Sequence, residues 1–161
     1  MSDMSSEDLI VRRAESGDVR AIAPLFDAYR QFYGKTPDLA LAELFLRERL
    51  RNRESIVLVA VSPGTHAETI GFVQLYPTFS SLQCSRAWVL NDLFVAAHAR
   101  RSGVALALMN AAADAARLVG VTSISLSTAH DNLAAQALYK KLGYVLDEEF
   151  RTYSLDVRPV T

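Results

Sequence analysis

The stretch "HARRSGVALALMNAAADAARLVG", residues 98 to 120, decides how the rest of the chain is read. Two arginines and a glycine stand at its mouth, and a run dominated by alanine and leucine follows. On a helical wheel from Gly103 to Val119, Asn110, Asp114 and Arg117 fall at i, i+4 and i+7, forming one narrow polar stripe. The remainder is apolar, which predicts a helix buried over most of its circumference, with alanines that permit close approach to a sheet. Its entrance is a separate matter. The first backbone N–H groups of a helix have no intrahelical partner and carry a partial positive charge. Gly103 removes a side chain where a ligand could touch the backbone, Ala105 keeps the next approach shallow, and Arg100 and Arg101 add charge. Those features suit a phosphate or pyrophosphate, although a plain strand-to-helix turn would also use a glycine there. Neither the Walker loop nor the GxGxxG fingerprint is present.

Outward from this helix, the pattern is regular. "LIVRRA" (9–14) reads as a short strand. "SGDVRAIAPLFDAYRQFYG" places Val19, Ile22, Leu25, Phe26 and Tyr29 at helical spacing, with Gly34 as a stop. "PDLALAELFLRERLRN" is a second helix with Leu39, Leu46 and Leu50 inward. The arginines at 47, 49, 51 and 53 make a solvated helix end favoured by the dipole. "SIVLVAV" (55–61), "TIGFVQLYP" (69–77) and "RAWVLNDLFVAA" (86–97) are strands, the first two a hairpin pair across the turn signal "SPGT". After the long helix come "VTSISLSTA" as strand, "NLAAQALYKKL" as helix, and "GYVLDEEFRTYSLDV" as one bent or two short strands. The expected fold is α/β, with a mixed central sheet flanked by about four helices. One domain spanning 1–161 is expected, with residues 1–8 as a flexible N-terminus.

A net charge of −1 gives no global field for nucleic acid or anionic membranes. One cysteine, Cys84, excludes an internal disulfide and points to a reducing, cytoplasmic setting. No apolar run reaches the length of a membrane span, and "MSDMSSEDL" lacks the pattern of a signal peptide. His66, His98 and His130 have no metal-ligand spacing, and no GxSxG elbow appears.

The stretch "NDLFVAAHARRSGVALAL" resembles the acyl-CoA signature of the GNAT superfamily of N-acetyltransferases, Gln/Arg-x-x-Gly-x-Gly/Ala after a strand, matched by Arg100, Gly103 and Ala105. About thirty residues on, "DNLAAQALYKKLGY" is similar to the family's second signature: an Asn, a helix carrying Tyr, then Leu-Gly-Tyr. The two together are far more specific than either alone, and the element order over roughly 9–157 also fits.

What the resemblance implies can be assigned residue by residue. The cofactor is acetyl-CoA, with no metal. The amides of Arg101, Ser102, Gly103, Val104 and Ala105 would cradle its pyrophosphate, with Arg100 beside them. The backbone of Phe94 and Val95 would pair with the pantetheine arm like an added strand. Asn132 is a helix cap, a contact to the cofactor arm, or both. Tyr139 is an aromatic core residue on composition alone, and the general acid for the leaving thiolate by resemblance. The base is less legible. Strict alternation puts Trp88, Leu90, Asp92 and Phe94 on one face and Val89, Asn91, Leu93 and Val95 on the other. Some diamine-type enzymes carry Glu where Asn91 stands; asparagine cannot take a proton, so Asn91 would orient a water or the incoming amine. Asp92 stands as a base or amine anchor, or as a structural hydrogen-bonding residue.

Acceptor candidates are Tyr29, Tyr33 and Tyr76, with Asp27, Phe32, Asp38 and Glu43 in the same region, an aromatic and acidic wall that suits a cation. The expected activity is acetyl transfer to a small primary amine, polyamine or amino acid, by direct attack. A protein N-terminal or lysine acetyltransferase and a non-catalytic acyl-CoA-binding domain are the alternatives. The partner is a small-molecule amine, with no nucleic acid and no membrane, and a homodimer is compatible with the resemblance.

Overall fold

A computed structural model describes residues 9–160, so the expectation of a flexible segment at 1–8 lies outside the described residues. The described chain falls into two compact units, one ending at Ser127 and the other starting at Thr128.

The first unit is built on five strands: β1 (Ile10–Arg13), β2 (Ile56–Val61), β3 (Thr69–Ser80), β4 (Ser85–Val95) and β5 (Val121–Leu126). They lie in that order across one sheet; the first four are antiparallel neighbours, while β4 and β5 run parallel. Parallel neighbours need a long crossover, and α3 (Val104–Leu118) supplies it. α1 (Val19–Phe32) and α2 (Leu39–Arg51) lie between β1 and β2 in the chain.

Cross-strand partners share a face, and the register therefore sorts the core. Val57, Val59 and Phe72 pack with Val19, Ile22, Phe26, Ala42 and Leu46, so α1 and α2 cover one face. Gly71, one residue from Phe72 in β3, points the other way. A Cβ there would stand 3.1 Å from the Val104 side chain and 3.2 Å from that of Leu108. The missing side chain at Gly71 lets the first turn of α3 press against the opposite face of β3. β2, covered on both faces, is apolar throughout as "IVLVAV", which is the expected signature of a doubly buried strand.

Three expectations need correcting. α3 is fully buried only along Val104, Leu108, Met109, Ala112 and Ala116; Leu106 and the remaining alanines are half-buried, and Leu118, beside the polar stripe, is 87% exposed. It rests on one sheet face, and a single stripe satisfies that contact. Its polar stripe is as expected, with Asp114 and Arg117 exposed and paired at 2.7 Å. In α2 the inward residues are Ala42 and Leu46, with Leu50 partly buried; Leu39 opens the helix and is exposed. Third, residues 143–157 form no strand.

The second unit, described by itself, holds α4 (Leu133–Lys141) followed by a segment without regular secondary structure. In that segment Val145, Phe150, Tyr153, Leu155 and Val157 are exposed. Apolar alternation marks a strand only where another strand can take its backbone groups, and among the described residues of this unit there is none.

Candidate active site

Two clusters in the first unit bring candidate site residues together. The first is the mouth of α3. After β4 the chain makes a 3₁₀ turn, Ala97–Ala99, then two residues in the left-handed region, Arg101 (φ 62°) and Gly103 (φ 81°). Gly103 is the N-cap of α3, and no side chain caps the helix. The first intrahelical bond runs from the Ala107 N–H to the Gly103 carbonyl at 3.0 Å, so the amides of Val104, Ala105 and Leu106 precede it. The space above Gly103 is open, with nothing within 4 Å of a Cβ placed there.

The flanking side chains brace this loop. Arg100 Nε donates to the Val95 carbonyl at 3.1 Å, and its guanidinium lies 5.3 Å from the centre of the Phe94 ring. The Ser102 hydroxyl donates to the Ala99 carbonyl at 2.5 Å. Arg101 is exposed, and Val104 is buried beneath the loop. An uncapped helix start, a bare Cα and an exposed arginine together suit an anion.

Beside this mouth, β4 loses its parallel neighbour. Pairing with β5 ends at Leu90 and Leu126, whereas pairing with β3 continues to Val95 and Gly71. From Asn91 to Val95, β4 thus has a strand on one side and none on the other among the described residues. An extended ligand arm could add itself along that edge at Phe94 and Val95. The Val95 carbonyl is already held by Arg100.

The second cluster arises from a bulge in β4. Gln74 faces Asp92 and Leu75 faces Leu90, which leaves Asn91 as the extra residue. This overturns strict alternation along "WVLNDLFV". Asp92 and Phe94 share a face with Gln74 and Phe72, whereas Trp88 and Leu90 share the other with Pro77 and Leu75. The bulge also turns Asn91 and Asp92 to the same side, and Asn91 Nδ2 donates to Asp92 Oδ1 at 3.1 Å. Gln74 Nε2 donates to Asp92 Oδ2 at 2.7 Å. The Tyr29 hydroxyl of α1 donates to the Asn91 carbonyl at 3.1 Å.

Asp92 is 3% exposed and Gln74 is 0% exposed. Burial pushes the Asp92 carboxyl above its ordinary range, against the opposing pull of hydrogen bonds from Gln74, Asn91 and Tyr29. Tyr76, on the same face of β3, is pushed up to about 12, first by burial and then by the negative charge of Asp92, with Arg49 opposing. Aromatic rings complete the wall: Tyr29 lies 6.4 Å from Phe94 and 5.1 Å from Tyr33, centre to centre.

The structure thus brings together Tyr29, Tyr33, Asn91, Asp92 and Phe94 around the bulge, with Tyr76 close enough to feel the charge of Asp92. The acidic part of the expected wall has other work. Asp27 accepts from Arg30 Nη1 at 3.2 Å, Gln31 Nε2 at 3.1 Å and the Asp38 N–H at 3.0 Å. Asp38 caps α2 through the Leu41 N–H at 3.0 Å, and Glu43 pairs with Arg47. Gln74 escaped the sequence reading; a polar residue set between Val73 and Leu75 in an otherwise apolar strand was the available signal.

In the second unit, Asn132 is the N-cap of α4, its Oδ1 accepting from the Ala135 N–H at 3.3 Å. Tyr139 is half-buried on that helix with its ring 5.9 Å from that of Tyr144.

The sequence profile of the acetyltransferase (GNAT) family matches residues 22–144. An uncharacterized N-acetyltransferase of Bacillus subtilis (strain 168), YhfO, is 48% identical over 147 residues, covering 91% of this chain and 97% of that protein. The crystal structure of a probable acetyltransferase superimposes with a TM-score of 0.86 at 38% identity, over 94% of this chain and 99% of the other. A ribosomal-protein-alanine N-acetyltransferase from Brucella melitensis biovar Abortus 2308 has a TM-score of 0.77 at 20% identity, over 92% of this chain and 99% of its own, and shows the fold alone. The chain belongs to the GNAT family and is an acetyl-CoA-dependent N-acetyltransferase.

Acetyl-CoA supplies the activated acyl thioester in this family. The residues present fit it, since the open space over Gly103 and the edge of β4 beyond Leu90, unpaired among the described residues, offer a diphosphate seat beside an edge for an extended arm. No group of three or more metal-ligating side chains occurs among the described residues, and none of their helices is long and apolar enough to cross a membrane.

Proposed function

We propose that this enzyme transfers the acetyl group to a small primary amine, a polyamine or amino-acid type, by direct attack of the amine on the thioester. The observation that carries the reading is the cluster at the β4 bulge, where the carboxyl of Asp92 has Tyr29 as a partner and Tyr76 within reach of its charge, on the face away from α3. A cationic amine is attracted by aromatic faces and by a carboxylate. An amine with a pKa of about 10.4 is mostly protonated near neutrality, so it must shed a proton before attack. A carboxyl raised by burial is a better acceptor for that proton than an ordinary one.

In this reading the amides from Arg101 to Ala105 hold the diphosphate, with Arg100 fixing the loop. The backbone of Phe94 and Val95 aligns the pantetheine arm. Asn91, exposed at the bulge, orients the amine, and Tyr29, Tyr33 and Tyr76 line its approach. Asp92 anchors the amine and accepts its proton. The Tyr139 hydroxyl donates a proton to the departing thiolate, and Asn132 holds the start of α4 while contacting the cofactor arm.

Release of free thiol from acetyl-CoA, measured across a panel of polyamines, amino acids and peptides, tests the proposal. Turnover with small amines is expected. Turnover only with peptide N-termini or lysine side chains would replace the acceptor class. Coenzyme binding without turnover on any amine would reduce the protein to an acyl-CoA-binding domain.

A further inference from the structure

Gln74 is as deeply buried as any residue in the sheet, and its amide is only half satisfied. Nε2 donates to Asp92 Oδ2 at 2.7 Å, the short end of the range for a charge-assisted N–H···O bond. Oε1 has no hydrogen-bond partner among the described residues. The orientation follows from chemistry: a carboxylate only accepts, so the amide must turn its nitrogen to Asp92 and its oxygen away. An orphaned buried acceptor is costly. The neighbourhood would accept an apolar side chain without that cost, since Gln74 sits opposite Val57 in β2 and shares its sheet face with Phe72, both fully buried. Packing alone therefore argues against glutamine at this position. Its bond to Asp92 argues for it.

We infer that Gln74 is a positioning residue for the acetyl transfer, clamping Asp92 from the β3 side while Asn91 clamps it from the bulge. The inference rests on the role given to Asp92 above. The clamp has two consequences. It fixes the carboxyl plane, because Oδ1 and Oδ2 are held by donors from different strands. It also suits both charge states of Asp92. With the carboxyl ionised, Nε2 donates to it. With the carboxyl protonated, a half-turn of the amide lets Oε1 accept the new O–H. Leucine can do neither, and glutamate would set a second carboxyl beside the first. The other titratable or charged groups acting on Asp92 or its surroundings are Tyr29 from α1, Tyr76 from β3 and Arg49 from α2.

The test compares Gln74→Leu, Asp92→Asn and the double variant in the full-length chain. Rates with the best amine are followed against pH, and the Asp92 carboxyl is titrated directly by carbon NMR, its resonance assigned by loss in Asp92→Asn. Removing a charge-assisted donor disfavours the ionised form. The Asp92 titration and the acid limb of kcat/KM should both move up by about one to two pH units in Gln74→Leu. Coenzyme A affinity should stay within about twofold, and the double variant should be no slower than Asp92→Asn. If Asp92→Asn abolishes the acid limb while Gln74→Leu leaves limb and titration in place, Gln74 is a packing residue and the inference falls alone. If Asp92→Asn keeps full turnover and an unaltered limb, the role of Asp92 falls and takes the inference with it. Should Gln74→Leu fail to fold, Gln74→Met carries the same readout, because it removes the donor to Asp92 while keeping the length and flexibility of the side chain.

Discussion

Replacing Gly103 by glutamate separates the fold from the diphosphate seat. Gly103 has φ 81° and ψ 5°, a left-handed conformation that costs a residue with a Cβ about 1–2 kcal/mol. No atom lies within 4 Å of a Cβ built there, so no clash adds to that cost. Gly103→Ala and Gly103→Glu should therefore lose similar stability, and each should melt roughly 2–8 °C below the parent in a chain of this size. Their coenzyme affinities should differ sharply. The glutamate sets a negative charge over the uncapped amides of α3, where the diphosphate would sit. Two like charges about 4 Å apart repel by about 4 kcal/mol at a surface-like effective dielectric, roughly a thousandfold in Kd. Calorimetric titration with coenzyme A is the assay, with thermal melts of both variants as the control. A measurable but weakened affinity in Gly103→Ala, whose Cβ enters the open space over the loop, with no measurable binding in Gly103→Glu, is the expected pair of results. A folded Gly103→Glu that binds like the parent would show that the helix entrance does not grip the diphosphate.

Other perturbations read different parts of the argument. Asp27→Ala should cost about 2–3 kcal/mol in denaturant unfolding, because it removes three hydrogen bonds and strands the Asp38 N–H where α2 begins. Tyr139→Phe should cut kcat at least tenfold while leaving coenzyme affinity unchanged, since only a hydroxyl is lost; equal rates across the pH range would remove it as the acid. Asp92 has a folded-state pKa raised by burial, so the native protein holds a proton that the unfolded chain releases earlier. Its contribution to stability should fall as pH rises from the ordinary carboxylate range through the raised value. Urea midpoints measured across that window should decline in the parent relative to Asp92→Asn; parallel curves would refute the raised pKa.

The elements legible in the sequence were those whose pattern and partner lie close together. β2 reads as a strand because "IVLVAV" is covered on both faces, and α1 because Val19, Ile22 and Phe26 recur at the period of a helix whose face is buried. The mouth of α3 was legible for another reason: a strand-to-helix turn in the left-handed region favours glycine, and Gly103 stands there at the uncapped start of the helix. Leu39 misled because apolar character does not reveal that a residue opens its helix on the solvent side. The tail from Gly143 misled because alternation reports a willingness to pair, and pairing depends on an available partner. Asp27 looked like part of a ligand wall because its three partners, one of them a backbone amide eleven residues away, cannot be read from spacing.

The candidate site turns on a feature that no local pattern encodes. A single extra residue at Asn91 reverses the phase of β4, and every face assignment upstream of it changes sign. Without the bulge, consecutive residues would point to opposite faces, and the Asn91 side chain could not reach the carboxyl of Asp92. With it, Asn91 and Gln74 grip that carboxyl from two strands, at 3.1 and 2.7 Å. The same irregularity lies where β4 parts from β5, immediately after the pairing of Leu90 with Leu126. One departure from regular geometry thus gathers the polar cluster and coincides with the free edge an extended acyl donor needs. The proposed base is therefore sought in the carboxyl that the bulge gathers and not in Asn91 itself. Asn91 cannot accept a proton; the carboxyl of Asp92, buried beside it and held by Gln74, can.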